Sequence, residues 1–192
     1  VSSNQNARAP LTEQVAQSLQ VSLRNLRTEY IDCLVLHSPL PRERDTLTVW
    51  RAMEQEVEQG RVRQLGISNC YELDVFERLC AQAKVQPSVL QNRFYADTGY
   101  DKALRALCKT RKIVYQSFWT LTANPHLLAH RSMRALCEKH RRTPAQILFR
   151  YLTQSGVVPL TGTTSHEHMR EDLAIFDFSL SHEEVAAIGA LL

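Results

Sequence analysis

Five apolar runs in this chain each end in side chains that can hydrogen-bond or stack: His37; Ser68 and Asn69; Gln91 and Asn92; Phe118 and Trp119; and Thr161, Gly162 and Thr163. The most informative is Leu34-Val35-Leu36-His37-Ser38-Pro39, which delivers one imidazole to the end of an apolar stretch and stops it with a proline. Histidine changes charge near neutral pH and offers a donor and an acceptor, so this placement suits acid–base or hydrogen-bonding chemistry. A single histidine is ordinarily a satisfied polar residue, and loops are polar anyway. The repetition over five runs, and the residue types involved, set these positions apart.

These runs have to be strands, and helix-period segments lie between them. Leu11, Val15, Leu19, Leu23 and Leu26 form one helical face ahead of a strand over 31–36. Thr46 is the expected cap of a second helix carrying Trp50, Met53 and Val57, with Gly60 as its stop and a strand over 64–68 beyond it. Leu73, Phe76 and Cys80 mark a helix before a short strand over 88–91; a helix over 101–110 precedes a strand over 113–118. After a polar loop comes a helix over 131–140. Thr143-Pro144-Ala145-Gln146 then has the form of a capping box with proline in the first turn, opening a helix that ends near Gly156. A fifth strand covers 157–160, Ser165 caps a helix through Leu173, and Ser181-His182-Glu183-Glu184 is a second capping box.

Alternation of strand and helix with short connections implies parallel strands and an α/β fold, in which ligands collect at the C-terminal strand ends. Two architectures compete, a doubly wound open sheet and a (β/α)8 barrel; no strand is followed by G-x-G-x-x-G, which argues against a Rossmann-type nucleotide site. A (β/α)8 barrel has eight strands and roughly 250 residues. Here the sequence supplies about five strands, so a barrel built from it would be incomplete; one domain is expected over 1–192, with a flexible lead-in over 1–10.

Composition narrows the classes further. The 192 residues are 44% hydrophobic, and 23 basic against 20 acidic residues give +3 without a basic stripe interleaved with aromatics, so no nucleic-acid partner is expected. No stretch approaches the ~20 apolar residues of a membrane span, so no membrane partner is expected either. Five irregularly spaced cysteines contain no C-x-x-C pair and read as reduced thiols of a cytoplasmic protein. His166 and His168 form H-x-H, a pattern of some metal-dependent hydrolases, but they fall in the first turn of a helix with no carboxylate cluster, and no metal site is expected. His126, His130, His140 and His182 read as surface or capping residues.

In order and spacing, the stretches Tyr30-Ile31-Asp32-Cys33-Leu34-Val35-Leu36-His37-Ser38-Pro39, Gly60-Arg61-Val62-Arg63-Gln64-Leu65-Gly66-Ile67-Ser68-Asn69, Val85-Gln86-Pro87-Ser88-Val89-Leu90-Gln91, Thr143-Pro144-Ala145-Gln146 and Phe176-Asp177-Phe178-Ser179-Leu180-Ser181 resemble the aldo-keto reductase family. The resemblance runs from Leu11 to the C-terminus. It implies a TIM barrel in which NAD(P)H exchanges hydride with an aldehyde or ketone, and it makes His37 the catalytic histidine that orients and polarises the carbonyl. The family's tyrosine, lysine and aspartate belong to strand ends ahead of the segment matching Leu11; Tyr30, Asp32 and Lys84 do not match those positions.

The same resemblance assigns cofactor contacts. Ser68, Asn69 and Gln91 match the residues that hydrogen-bond the nicotinamide carboxamide, and Phe118 stands where a stacking tyrosine is usual. Trp119, Leu121, Thr161, Gly162 and Thr163 fall in the strand-end loops that carry the cofactor, with His168, Glu171 and Asp172 toward its adenosine end. NADP(H) is implied over NAD(H), a preference weakened because Leu160 replaces the usual lysine and His168 falls near an arginine position.

The chain begins at Val1, which is expected of a processed, excised or N-terminally truncated form. Two functional expectations follow. One is the C-terminal portion of a reductase, weakly active or inactive alone. The other is a shortened, non-catalytic nucleotide-binding or interaction protein. Either way, open barrel edges invite self-association.

Overall fold

The computed structural model describes residues 8–192. Of the lead-in expected over 1–10, residues 1–7 lie outside the described residues. Residues 8–10 turn into the first helix, where Gln14 donates its backbone N–H to the Pro10 carbonyl (3.0 Å) and its side-chain amide to the Ala9 carbonyl (2.8 Å).

The chain divides into two compact units, the first ending at Gln91 and the second running Asn92–Leu192. The first contains α1 (Leu11–Leu26), β1 (Ile31–Leu36), α2 (Glu43–Glu58), β2 (Val62–Ser68), α3 (Leu73–Gln82) and most of β3 (Pro87–Arg93). β1 runs parallel to β2 with Leu34 opposite Leu65, and β2 parallel to β3 with Ser68 opposite Gln91. Trp50, Leu65, Ile67, Phe76 and Leu90 are fully buried, so the helices cover one face of the strands with large apolar groups.

Two polar features lock this packing. Trp50 donates its indole N–H to the Val85 carbonyl (3.2 Å), and buried Glu54 accepts the backbone N–H groups of Lys84 (2.7 Å) and Val85 (3.0 Å). Together they hold the loop that launches β3. At Gly66, where the β2–β3 register shifts, an added Cβ would lie 3.0 Å from the Val89 Cβ and 3.1 Å from its carbonyl oxygen. Only glycine lets these strands approach so closely.

Thr46 does not cap α2. The helix starts at Glu43 after Arg42, and Thr46 lies buried inside it, its hydroxyl accepting the Leu40 N–H (2.8 Å). A side chain that bonds an upstream loop from within the first turns resembles a cap in sequence, because threonine is favoured in both settings.

The second unit contains a 3-10 segment (Ala96–Asp101), α4 (Lys102–Arg111), β4 (Val114–Phe118), α5 (Pro125–Leu128), α6 (Arg131–His140), α7 (Pro144–Gln154), β5 (Val157–Pro159), α8 (His166–Leu173), a 3-10 turn (Ala174–Asp177) and α9 (His182–Gly189). β4 and β5 are parallel with Ser117 opposite Pro159, and the Leu160 N–H extends the ladder to the Ser117 carbonyl (2.7 Å). Phe94, Met133, Ile147, Leu148 and Leu152 form its buried centre. Both expected capping boxes are present, at Thr143 with Gln146 and at Ser181 with Glu184. Asn92 is turned into this core, donating to buried Asp101 (2.7 Å), which also accepts from the Tyr115 hydroxyl (2.8 Å).

Strand pairing within each unit is parallel and helices separate the strands, so the fold is α/β, with five strands among the described residues.

Candidate active site

In the first unit the expected residues converge on Asn69. His37 follows β1 directly and is exposed; Ser68 ends β2 and is buried; Asn69 comes next, with left-handed backbone (φ 51°). Asparagine tolerates that conformation better than most residues, and here it aims the side-chain amide back across the strand ends. The Nδ2 group donates to the His37 carbonyl (2.8 Å) and to Ser68 Oγ (3.2 Å), while Oδ1 accepts the Tyr71 hydroxyl (3.1 Å). The Gln91 carbonyl accepts both the Ser68 hydroxyl (2.7 Å) and the Asn69 N–H (3.1 Å). Three strand ends are thereby tied together.

Counting donors and lone pairs shows what remains for a ligand. Both N–H groups of the Asn69 amide and the Ser68 hydroxyl hydrogen are used within the protein. One lone pair on Ser68 Oγ and one on Asn69 Oδ1 are left. This pair of oxygens suits the NH2 of a primary amide, so Ser68 and Asn69 fit a carboxamide as acceptors. Tyr71 is the partner that sequence reasoning missed; it follows the strand and has no periodic signal.

The second unit holds the other expected residues around a cavity of about 960 Å3. Phe118 ends β4, half-buried, its carbonyl accepting the Phe94 N–H (3.1 Å). Trp119 has left-handed backbone (φ 56°), uncommon for a bulky residue, and is 56% exposed. The loop behind it is fixed: Ser117 and Thr120 share a buried hydroxyl contact (2.9 Å), and Asn124 donates to the Phe94 (2.6 Å) and Thr120 (3.0 Å) carbonyls. Leu121, Thr161 and Gly162 line the same cavity.

Arg93, Tyr95 and His126 also line this cavity, none of them a site residue on the sequence alone. The Arg93 guanidinium carbon sits 4.0 Å from the Trp119 ring centroid and 5.2 Å from that of Tyr95. His126, expected to be a surface or capping residue, lines the cavity and shares a hydrogen bond with the Tyr100 hydroxyl (3.1 Å), whose pKa burial pushes up. By contrast His130 does cap α6, accepting the Ser132 N–H (3.2 Å).

Beyond β5 the loop pairs with α8. Thr161 donates to the Asp172 carboxylate (2.9 Å), Thr163 meets His168 Nδ1 (3.5 Å), and Ser165 caps the helix by accepting the His168 N–H (3.3 Å). Glu171 contributes its main-chain carbonyl to Gln146 (3.0 Å). Thr163, His168, Glu171 and Asp172 are not among the cavity's lining residues. Among the described residues no three His, Cys, Asp or Glu side chains are grouped as metal ligands.

The family model described as "Aldo/keto reductase family" matches residues 4–114 and 97–192. The chain belongs to the aldo/keto reductase family. It is 31% identical over 180 residues to a glyoxal reductase of Bacillus subtilis (strain 168), an alignment covering 93% of this chain and 63% of that protein. The aldo/keto reductase of Brucella melitensis superposes with a TM-score of 0.84 at 28% identity, covering 94% of this chain and 68% of that one. Another solved structure, that of a Gox0644 point mutant in complex with NADPH, gives 0.85 at 27% identity, covering 93% of this chain and 65% of that one. The chain thus spans slightly under two thirds of the glyoxal reductase it matches.

Proposed function

We propose that this chain is part of an NAD(P)H-dependent oxidoreductase that moves hydride between nicotinamide and an aldehyde or ketone. The observation that carries this reading is Asn69 bridging Ser68 Oγ and the His37 carbonyl, which sets a carboxamide-accepting pair beside an exposed imidazole. When bound, the nicotinamide supplies the hydride. Ser68 and Asn69 fix its orientation by accepting from the amide NH2. His37 donates a hydrogen bond to the carbonyl oxygen and draws charge toward it, so that a carbon accepting hydride carries less of the barrier. The alkoxide proton comes from a general acid that the family resemblance does not place on any residue of this chain.

For the cofactor we propose NADP(H) over NAD(H). His168 and Arg170 on α8 support it, as does the NADPH bound to the Gox0644 mutant. Leu160 and the Thr161–Asp172 hydrogen bond narrow the margin, since neither offers a cation to a phosphate. A cytoplasmic setting is proposed on Cys33, Cys70, Cys80, Cys108 and Cys137, none of which is in a disulfide.

The test is fluorescence titration of the chain with NADPH and NADH, followed by turnover of an aromatic aldehyde. Saturable binding, tighter for NADPH and weakened in Asn69→Ala, is expected, with turnover lower by about 10² to 10⁴ than in an enzyme with a positioned general acid. Absence of saturable binding by either nucleotide would sink the proposal. Binding that is unaffected by His37→Ala, with no activity in the parent chain, would favour the non-catalytic nucleotide-binding reading.

A further inference from the structure

Three consecutive residues of the second unit, Gly99 (φ 58°), Tyr100 (φ 56°) and Asp101 (φ 51°), have left-handed backbone. Two of them carry a Cβ, for which this conformation is unfavourable, so the turn persists only because its surroundings hold it. Buried Asp101 accepts from Asn92 (2.7 Å) and from the Tyr115 hydroxyl (2.8 Å). The Tyr100 N–H bonds the Tyr95 carbonyl (3.1 Å), and its ring packs on Phe94 with centroids 5.0 Å apart. The turn thereby fixes a phenol: Tyr100 is 3% exposed, and its hydroxyl stands 3.1 Å from Nε2 of His126.

That contact sets the imidazole. Burial raises the Tyr100 pKa and keeps its O–H hydrogen in place, and a buried hydroxyl hydrogen needs an acceptor. His126 Nε2 is that acceptor, so the neutral ring carries its hydrogen on Nδ1. His126 is exposed on the wall of the cavity that Phe118, Leu121, Thr161 and Gly162 line. The other charged side chains on that wall are Arg93, engaged with the Trp119 and Tyr95 rings, and the acid Asp97. The resemblance puts the nicotinamide ring on Phe118 and the adenosine end at His168, Glu171 and Asp172, which lie outside this wall. The stretch of a dinucleotide between those two ends is its pyrophosphate bridge, whose oxygens accept an oriented N–H.

We infer that His126 donates from Nδ1 to an oxygen of the dinucleotide's pyrophosphate, and that Tyr100 is the positioning residue that fixes its tautomer. The assignment rests on the reductase reading above and gives roles to two residues that the sequence resemblance does not mark.

The test is calorimetric titration of the chain with NADPH and with ADP-ribose, which keeps the pyrophosphate and lacks nicotinamide. His126→Ala is expected to weaken both by about tenfold or more, as loss of a hydrogen bond to a charged group does. His126→Asn, whose amide N–H stands near the place of Nδ1–H, should recover part of that loss. Tyr100→Phe should weaken both ligands by about three- to fivefold in the parent chain and not at all in the His126→Ala chain. NMR of the imidazole nitrogens, with His126 assigned by its disappearance in the alanine variant, should show the hydrogen on Nδ1 in the parent and mixed tautomers in Tyr100→Phe. A purely structural role for Tyr100 would not move that signal. If Tyr100→Phe fails to fold, the parent's tautomer and the His126 variants decide. Unchanged NADPH affinity in His126→Ala, a hydrogen on Nε2 in the parent, or a loss confined to NADPH would each overturn the inference and leave the reductase reading standing. Absence of NADPH binding by the parent chain would overturn that reading and this assignment with it.

Discussion

The Asn69 side chain donates to the main-chain carbonyl of His37 at 2.8 Å, so the residue proposed to hold the carboxamide also fixes the backbone of the residue proposed to polarise the substrate. Binding and chemistry are mechanically joined at one amide. Asn69→Ala should therefore lower stability by about 1 to 3 kcal/mol and weaken NAD(P)H binding together. Asn69→Gly keeps the left-handed backbone without strain and should recover roughly 1 kcal/mol of that loss while leaving cofactor affinity low. Urea denaturation and nucleotide titration of the two variants, side by side, check this; equal stability of the alanine and glycine forms would contradict it.

Gly66 is expected to reject any side chain. With Val89 Cβ and carbonyl at 3.0 and 3.1 Å from an added methyl group, Gly66→Ala must push β2 and β3 apart. The expected cost is about 1 to 3 kcal/mol, read as a lower urea midpoint with unchanged slope. An alanine variant as stable as the parent would show that the strands yield freely.

Glu184 couples stability to acid. Burial raises its pKa, but the Lys139 ammonium at 2.8 Å, the Ser181 N–H at 2.7 Å and His140 at 3.0 Å outweigh it and hold the carboxyl at about 2, against an ordinary 4.5. A carboxyl depressed on folding contributes stability that is complete above its unfolded pKa and disappears as pH falls through the folded one. The contribution, on the order of 2 kcal/mol after screening through exposed Lys139, should thus decline from about pH 4.5 to about 2. Glu184→Gln should flatten the denaturation midpoint over that window.

The chain expressed alone is expected to self-associate. Within its unit, β1 pairs with β2 and β5 pairs with β4, and each presents a further edge that another strand could join. Light scattering across a concentration series should show mass rising with concentration. A monomer with a sharp two-state melt at every concentration would refute the expectation.

What the sequence made legible was chemistry that is local. Thr143 with Gln146 and Ser181 with Glu184 carry both halves of a capping box within four residues, and both form as read. Gly60 and Gly156 turn at φ 74° and 78° where the helical patterns stop. Thr46 looks like a cap in sequence, but its partner, Leu40, lies in the preceding loop, and only burial decides between a cap and a tie. The Arg93–Trp119 stack and the His126–Tyr100 hydrogen bond join residues 26 apart in each case, a separation at which periodicity carries no information. The candidate site was therefore readable in its strand-end members and silent in the side chains that orient them.

The oxygens left over at Ser68 and Asn69 have a final consequence. Every hydrogen of that pair is committed within the protein, so the surface it offers can receive a proton donor and repels a negative charge. Nicotinamide carries an amide there and nicotinic acid a carboxylate. A pyridine nucleotide in its deamidated form would meet oxygen against oxygen, so under the proposed function this corner of the chain would select the amidated cofactor as well as hold it.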